Sequence, residues 1–99
     1  MFDKMKQLME MQKKAREVQK VLEELKIEKT SLGGKLKMVM NGNTRVESLS
    51  IAEELLQPSQ KASLEKALSA LITEAGEEAR QQSVAQAMSM MKGLALPGM

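Results

Sequence analysis

The sequence predicts an α+β fold: a helix, a three-stranded antiparallel sheet and a second, long helix, in that order. Apolar residues alternate at spacings of three and four through the first quarter of the chain, then switch to every second position around Met38. After Pro58 the helical spacing returns. A period near 3.6 marks a one-sided helix and a period of two marks a half-buried strand, so the order of elements follows from the order of periods.

In the first segment Leu8, Met11, Ala15, Val18, Leu22 and Leu25 form one stripe. Residues 1–26 therefore read as a single amphipathic helix, its pattern running from Asp3 to Lys26 with no glycine or proline. Fewer than four heptads and the small Ala15 favour a helix packed on its own domain or on a twin over a free coiled coil. Ile27 to Ser31, before Gly33-Gly34, reads as a first strand. In Lys35 to Met40 the residues Leu36, Met38 and Met40 share one face, with Lys35, Lys37 and Val39 on the other. Asn41-Gly42 is the pair best suited to positive φ in a tight hairpin turn, and Thr44 to Ile51 returns as the third strand. The strands together span 27–51. Val46 and Leu49 have opposite parity, which calls for a bulge or a two-faced strand.

Gln57-Pro58-Ser59 reads as a turn, with Pro58 placed to open a helix and Ser59 or Ser63 to cap it. The second helix is expected over 59–92, with Leu64, Leu68, Leu71, Ile72, Ala75 and Ala79 on one face. Past Ala79 that stripe becomes Gln82, Ser83 and Gln86, whereas Val84, Met88 and Met91 lie round the other side. The helix is thus expected to exchange one packing partner for another. Gly76, which costs about 1 kcal/mol relative to Ala, reads as a close contact or a bend. Residues 93–99 form a tail stopped by Gly93, Pro97 and Gly98.

Eight of the ten methionines sit at the ends: Met1, Met5, Met9, Met11, Met88, Met90, Met91 and Met99. The simplest arrangement pairs the outer halves of the two helices as an antiparallel arm beyond the sheet. Met5, Leu8 and Met11 would then pack against Val84, Met88 and Met91. Ninety-nine residues with one aromatic, Phe2, make a single domain with a small core, so a second copy is expected to supply missing burial.

Composition bounds the chemistry. Without histidine or cysteine, the commonest general base, the commonest metal ligand and every thiolate are absent. Adjacent carboxylates at Glu53-Glu54 and Glu77-Glu78 diverge by about 100° on a helix and do not converge on one substrate atom. Ser48 and Ser50 have no histidine to activate them. Gly33-Gly34 lacks the Lys-Ser or Lys-Thr of a phosphate loop, and no calcium-loop spacing occurs. No enzyme activity, cofactor, metal or small-molecule substrate is expected. No apolar run approaches the roughly 20 residues of a membrane span, and Asp3 and Glu10 among the first lysines rule against a signal peptide. A cytoplasmic protein with no membrane partner is the expectation.

The net charge of +2 is uneven: residues 1–50 carry +4 and residues 51–99 carry −2. With Leu8 at position a of a heptad, Lys6, Lys13 and Lys20 all fall at f, opposite the apolar seam, and Arg16 lies beside them at b. Steps of seven residues, about 10 Å, make a basic row able to follow a phosphate backbone. An acidic row of Asp3, Glu10, Glu17 and Glu24 runs alongside. Glu10–Lys13 and Glu17–Lys20 pairs would turn the surface into an ordinary solvated face, the reading that physics alone favours. Lys35 and Lys37 on the open face of a strand are equally able to guard the sheet or meet an anion. With no aromatic among these charges, and no helix-turn-helix or zinc-finger pattern, any nucleic-acid contact is expected to be chiefly with phosphates of double-stranded DNA, at low sequence specificity. The rival reading is a protein–protein interaction module with a methionine-rich apolar surface.

Several strings, in order, resemble the YbaB/EbfC family of bacterial nucleoid-associated DNA-binding proteins. They are Met1-Phe2, Met11-Gln12-Lys13-Lys14, Val18-Gln19 and Leu22-Glu23-Glu24-Leu25, then Val39-Met40-Asn41-Gly42 and Val46-Glu47-Ser48-Leu49-Ser50-Ile51. Glu54-Leu55-Leu56, Leu64-Glu65, Ala75 and the closing Gly93-Leu94-Ala95-Leu96-Pro97-Gly98-Met99 complete the match. The resemblance implies a tweezer-like homodimer with projecting helical arms, located at the nucleoid, that influences DNA conformation and gene expression. It also raises Lys6, Lys13, Lys14, Arg16, Lys20, Lys35 and Lys37 to candidate DNA contacts. Two departures stand out: the second helix is acidic at Glu74, Glu77 and Glu78, and Gly76 replaces a polar helix former.

Overall fold

The computed structural model describes residues 2–91. Helix α1 (Phe2–Glu24) leads into strand β1 (Lys26–Ser31), a 3-10 turn at Leu32–Gly34, and strands β2 (Leu36–Asn41) and β3 (Val46–Ile51). Two further 3-10 turns, Glu53–Leu56 and Pro58–Gln60, precede helix α2 (Lys61–Met91). The sheet is an antiparallel meander in the order β1-β2-β3. The predicted fold class and element order are thus observed. Lys35 closes the 3-10 turn instead of opening a strand, and α2 starts two residues later than expected because Pro58–Gln60 winds as a 3-10 turn. The expected tail, 93–99, lies outside the described residues.

The parity conflict in β3 resolves as a bulge. Met38 pairs with Leu49 and Val39 with Ser48, but Met40 pairs with Val46, leaving Glu47 as the extra residue. Paired residues share a face, so the bulge puts Val46, Leu49 and Ile51 on the side of Met40, Met38 and Leu36. Helix α2 packs on that side, across β1 and β2. The core is Ile27, Leu36, Met38, Met40, Leu55, Leu71, Ala75 and Ala79. Alanines at 75 and 79, both fully buried, let α2 sit close to the sheet. Lys29, an inward-facing charge on the outer strand, is matched by Glu78 of α2 at 3.3 Å.

The turn after β2 works differently from the sequence expectation. Gly42 does not have positive φ; Thr44 does, at 65°. The buried Asn41 side chain organises the turn, its Oδ1 accepting the N–H groups of Asn43 at 2.9 Å and Arg45 at 3.0 Å. The glycine is needed for proximity. Its N–H donates to the Leu22 carbonyl at 2.7 Å, and a Cβ at this position would stand 2.9 Å from the Leu22 oxygen and 3.0 Å from its Cα. The turn therefore gives a last-turn carbonyl of α1, which also accepts the Leu25 N–H at 3.3 Å, a second and shorter donor, fixing that helix against the sheet.

Both helices run past the sheet, and the molecule measures 66 × 22 × 16 Å. Its radius of gyration, 19.1 Å, compares with about 12.6 Å for a compact chain of this length. The arm is present, but its seam is not the predicted one. Val84 and Met88 are 58% and 60% exposed, whereas Ala87 and Met90 face Met11, Ala15 and Val18 across a shallow apolar groove. The stripe of Leu71, Ala75 and Ala79 continues through Ser83 and Gln86 to Met90, so α2 keeps one inner face throughout. Small side chains there permit the close helix approach; apolarity alone pointed to the wrong side. Met5 and Leu8 remain 64% and 60% exposed, and the Met91 side chain lies outside what is described. Ile72, expected in the core face, is 47% exposed.

Candidate nucleic-acid interface

Helix α1 has no residue that breaks it between Phe2 and Glu24, so its surface rows keep a fixed spacing. Lys6, Lys13 and Lys20 lie within about 40° of one another around the axis and span about 21 Å along it. Lys13 is about 180° from buried Leu22. Arg16 flanks the row. All four side chains are exposed.

The expected Glu10–Lys13 and Glu17–Lys20 pairs do not form. Instead Glu17 meets Lys14 at 3.7 Å. Among the described residues the ion pairs engage Lys14, Lys26, Lys29, Lys35 and Lys37, leaving Lys6, Lys13, Arg16 and Lys20 without a carboxylate within 4.0 Å. This matters because a charge already neutralised by a neighbour gains less from a phosphate. Lys14 is separated from the row: it is half-buried, on the flank of α1 that lines the inter-helix groove.

The sheet lysines are also placed apart. Lys37 pairs with Glu28 at 2.5 Å across β1 and β2, and Lys35 pairs with Glu54 at 3.0 Å. Each is half-exposed, consistent with the guarding role of charges on an open sheet. On α2, Glu74 and Glu77 are exposed beside Arg80, so that helix offers little positive potential. Arg45, which sequence reasoning passed over, projects from the hairpin turn beside Lys26, Glu23, Glu24 and Glu47. Lys26 bonds to Glu47 there. Carboxylates outnumber cations in this group, so the basic row ends at Lys20.

No helix among the described residues is long and apolar enough to cross a membrane. The described residues also contain no cluster of three carboxylates able to hold a metal ion.

Comparison with known proteins gives the family and the fold. The model of the YbaB/EbfC DNA-binding family matches residues 1–99. A nucleoid-associated protein of Dictyoglomus thermophilum is 30% identical over 96 residues, covering 97% of this chain and 92% of its own. Nucleoid-associated proteins of Pelotomaculum thermopropionicum and Chloroflexus aurantiacus are 33% and 34% identical, over 96% and 90% of this chain and 90% and 93% of theirs. A crystal structure of an uncharacterized protein from Helicobacter pylori superimposes with a TM-score of 0.79 at 18% identity. It covers 92% of this chain and 97% of that one, and shares the fold.

Proposed function

Because the chain belongs to the YbaB/EbfC DNA-binding family, we propose that it is a nucleoid-associated protein of the cytoplasm that acts as a homodimer. It holds double-stranded DNA by the phosphate backbone with little regard to sequence. The observation that carries this reading is the row of Lys6, Lys13, Arg16 and Lys20 on a projecting helix, exposed and without carboxylate partners. Each cation that meets a phosphate releases condensed counterions, which supplies affinity but no base discrimination. The row lacks the aromatic platforms of single-strand binders, and nothing on α1 reads base edges as a recognition helix would. Two arms fixed to one dimer would constrain the path of the duplex, giving a route from binding to altered DNA conformation and gene expression.

The test is a triple variant, Lys13→Glu, Arg16→Glu and Lys20→Glu, in a mobility-shift assay on two unrelated duplexes. Binding should be abolished on both while circular dichroism and dimer mass stay unchanged, because these side chains point away from the packed face. A control with Lys35→Gln and Lys37→Gln should bind within about two-fold of wild type, since those lysines lie on and beside strand β2, apart from the row on α1. Undiminished binding by the triple variant would refute the assignment.

The exposed Met5, Met9, Met11 and Met88 support a second reading, a docking surface for an apolar protein partner. Such docking would be nearly insensitive to salt, whereas phosphate binding weakens steeply as salt rises.

A further inference from the structure

Resting on the phosphate-contact reading, we infer that Met9, supported by Met5 one turn before it, is an apolar wedge that enters the minor groove and inserts between stacked base pairs. Neither side chain belongs to the packed face of α1. That face is marked by buried Leu22 and by Met11, Ala15 and Val18 along the inter-helix groove. At about 100° per residue, Met9 lies about 140° round the axis from Leu22, and Met5 about 100°. Met9 is instead about 20° from Arg16, about 40° from Lys13 and about 60° from Lys6. Along the axis it stands about 4.5 Å from Lys6 and about 6 Å from Lys13. It thus sits within the basic row, with Asp3, Glu10 and Glu17 on the far side of that row. At 68% it is the most exposed large apolar side chain among the described residues, and Met5 is 64% exposed.

Charge selects the occupant. Lys6, Lys13 and Arg16 surround Met9, and among the described residues none has a carboxylate within 4.0 Å. An apolar protein partner seated on Met9 would bury these cations without anions, at a desolvation cost. A base step answers both demands, because its phosphates are anionic and its stacked faces apolar. Lys6 and Lys13 are about 10 Å apart along the axis, a span that reaches phosphates on both walls of a minor groove about 6 Å wide. The thioether, unbranched and polarizable, extends to the bases between them. Wedges of this kind unstack one step and kink the duplex by about 20–90°. Insertion reads no base edge, so it keeps the low sequence specificity of phosphate contact and supplies a step by which binding alters DNA conformation.

The experiment compares binding of the full chain to a matched duplex and to the same duplex carrying one central T·T mismatch, where unstacking is already partly accomplished. Wild type should bind the mismatched duplex about 10-fold more tightly. Met9→Ala and Met9→Gln should reduce that preference below about two-fold, whereas Met9→Leu, which restores an apolar wedge, should keep it. Circular dichroism should be unchanged in all three, because the side chain is exposed and Ala, Gln and Leu are good helix formers. The salt slope of Met9→Ala should match wild type, since all four cations of the row remain. Equal binding of the two duplexes by wild type, an undiminished preference in Met9→Ala, or Met9→Leu behaving as Met9→Gln refutes the wedge and leaves phosphate binding standing. Wild type that binds neither duplex overturns both.

Discussion

Replacing Gly42 by Ala tests how the arm is fixed to the sheet. The added Cβ would stand 2.9 Å from the Leu22 carbonyl oxygen, 2.9 Å from its Cδ2 and 3.0 Å from its Cα. Ordinary contact begins near 3.4 Å, so turn and helix must separate by about 0.5 Å. The Cδ2 atom can rotate away; the carbonyl and Cα are backbone and cannot. Separation stretches the 2.7 Å hydrogen bond from the Gly42 N–H to the Leu22 oxygen, at a cost of about 1 kcal/mol. Overpacking against the buried Leu22 adds about 1–3 kcal/mol. The expected loss is therefore about 2–4 kcal/mol, read from urea unfolding at one fixed protein concentration, as the proposed homodimer would require. A loss below about 0.5 kcal/mol would refute the close-approach argument and return Gly42 to an ordinary turn role.

Asn41→Ala should cost about 2–3 kcal/mol in the same assay, because the N–H groups of Asn43 and Arg45 lose their shared acceptor in a partly buried turn. Gly76→Ala should raise stability by about 1 kcal/mol, since nothing lies within 4 Å of the added Cβ and the helix gains propensity. Destabilisation there would contradict the open space around Gly76.

Local patterns were legible and distant contacts were not. The stripe from Leu8 to Leu25, the alternation of Leu36, Met38 and Met40, and the bulge forced by Val46 and Leu49 all follow from periodicity. The role of Gly42 did not, because its reason is Leu22, twenty residues away in the chain. The seam of the arm misled the sequence reading for a related cause. Val84 and Met88 are the apolar choice on α2, but the inner face is set by the line of Leu71, Ala75 and Ala79 against the sheet, and a straight helix carries that line on to Ser83 and Met90. For the candidate interface, heptad position found Lys6, Lys13, Arg16 and Lys20. It could not tell that Glu17 turns to Lys14, or that Lys35 and Lys37 are engaged by Glu54 and Glu28. Side-chain partner choice among several carboxylates at similar reach is a property of the folded surface.

The most direct test of the central claim is the salt dependence of binding to a short duplex. Four cations per copy, eight in the proposed homodimer, give a logarithmic slope of about −7 if all meet phosphates, so affinity should fall about 10,000-fold between 50 and 200 mM salt. Lys20→Gln removes two of those contacts and should reduce the slope by about 1.8, equally on two unrelated sequences. A slope near zero, or one unaltered by Lys20→Gln, would contradict binding through the basic row of α1.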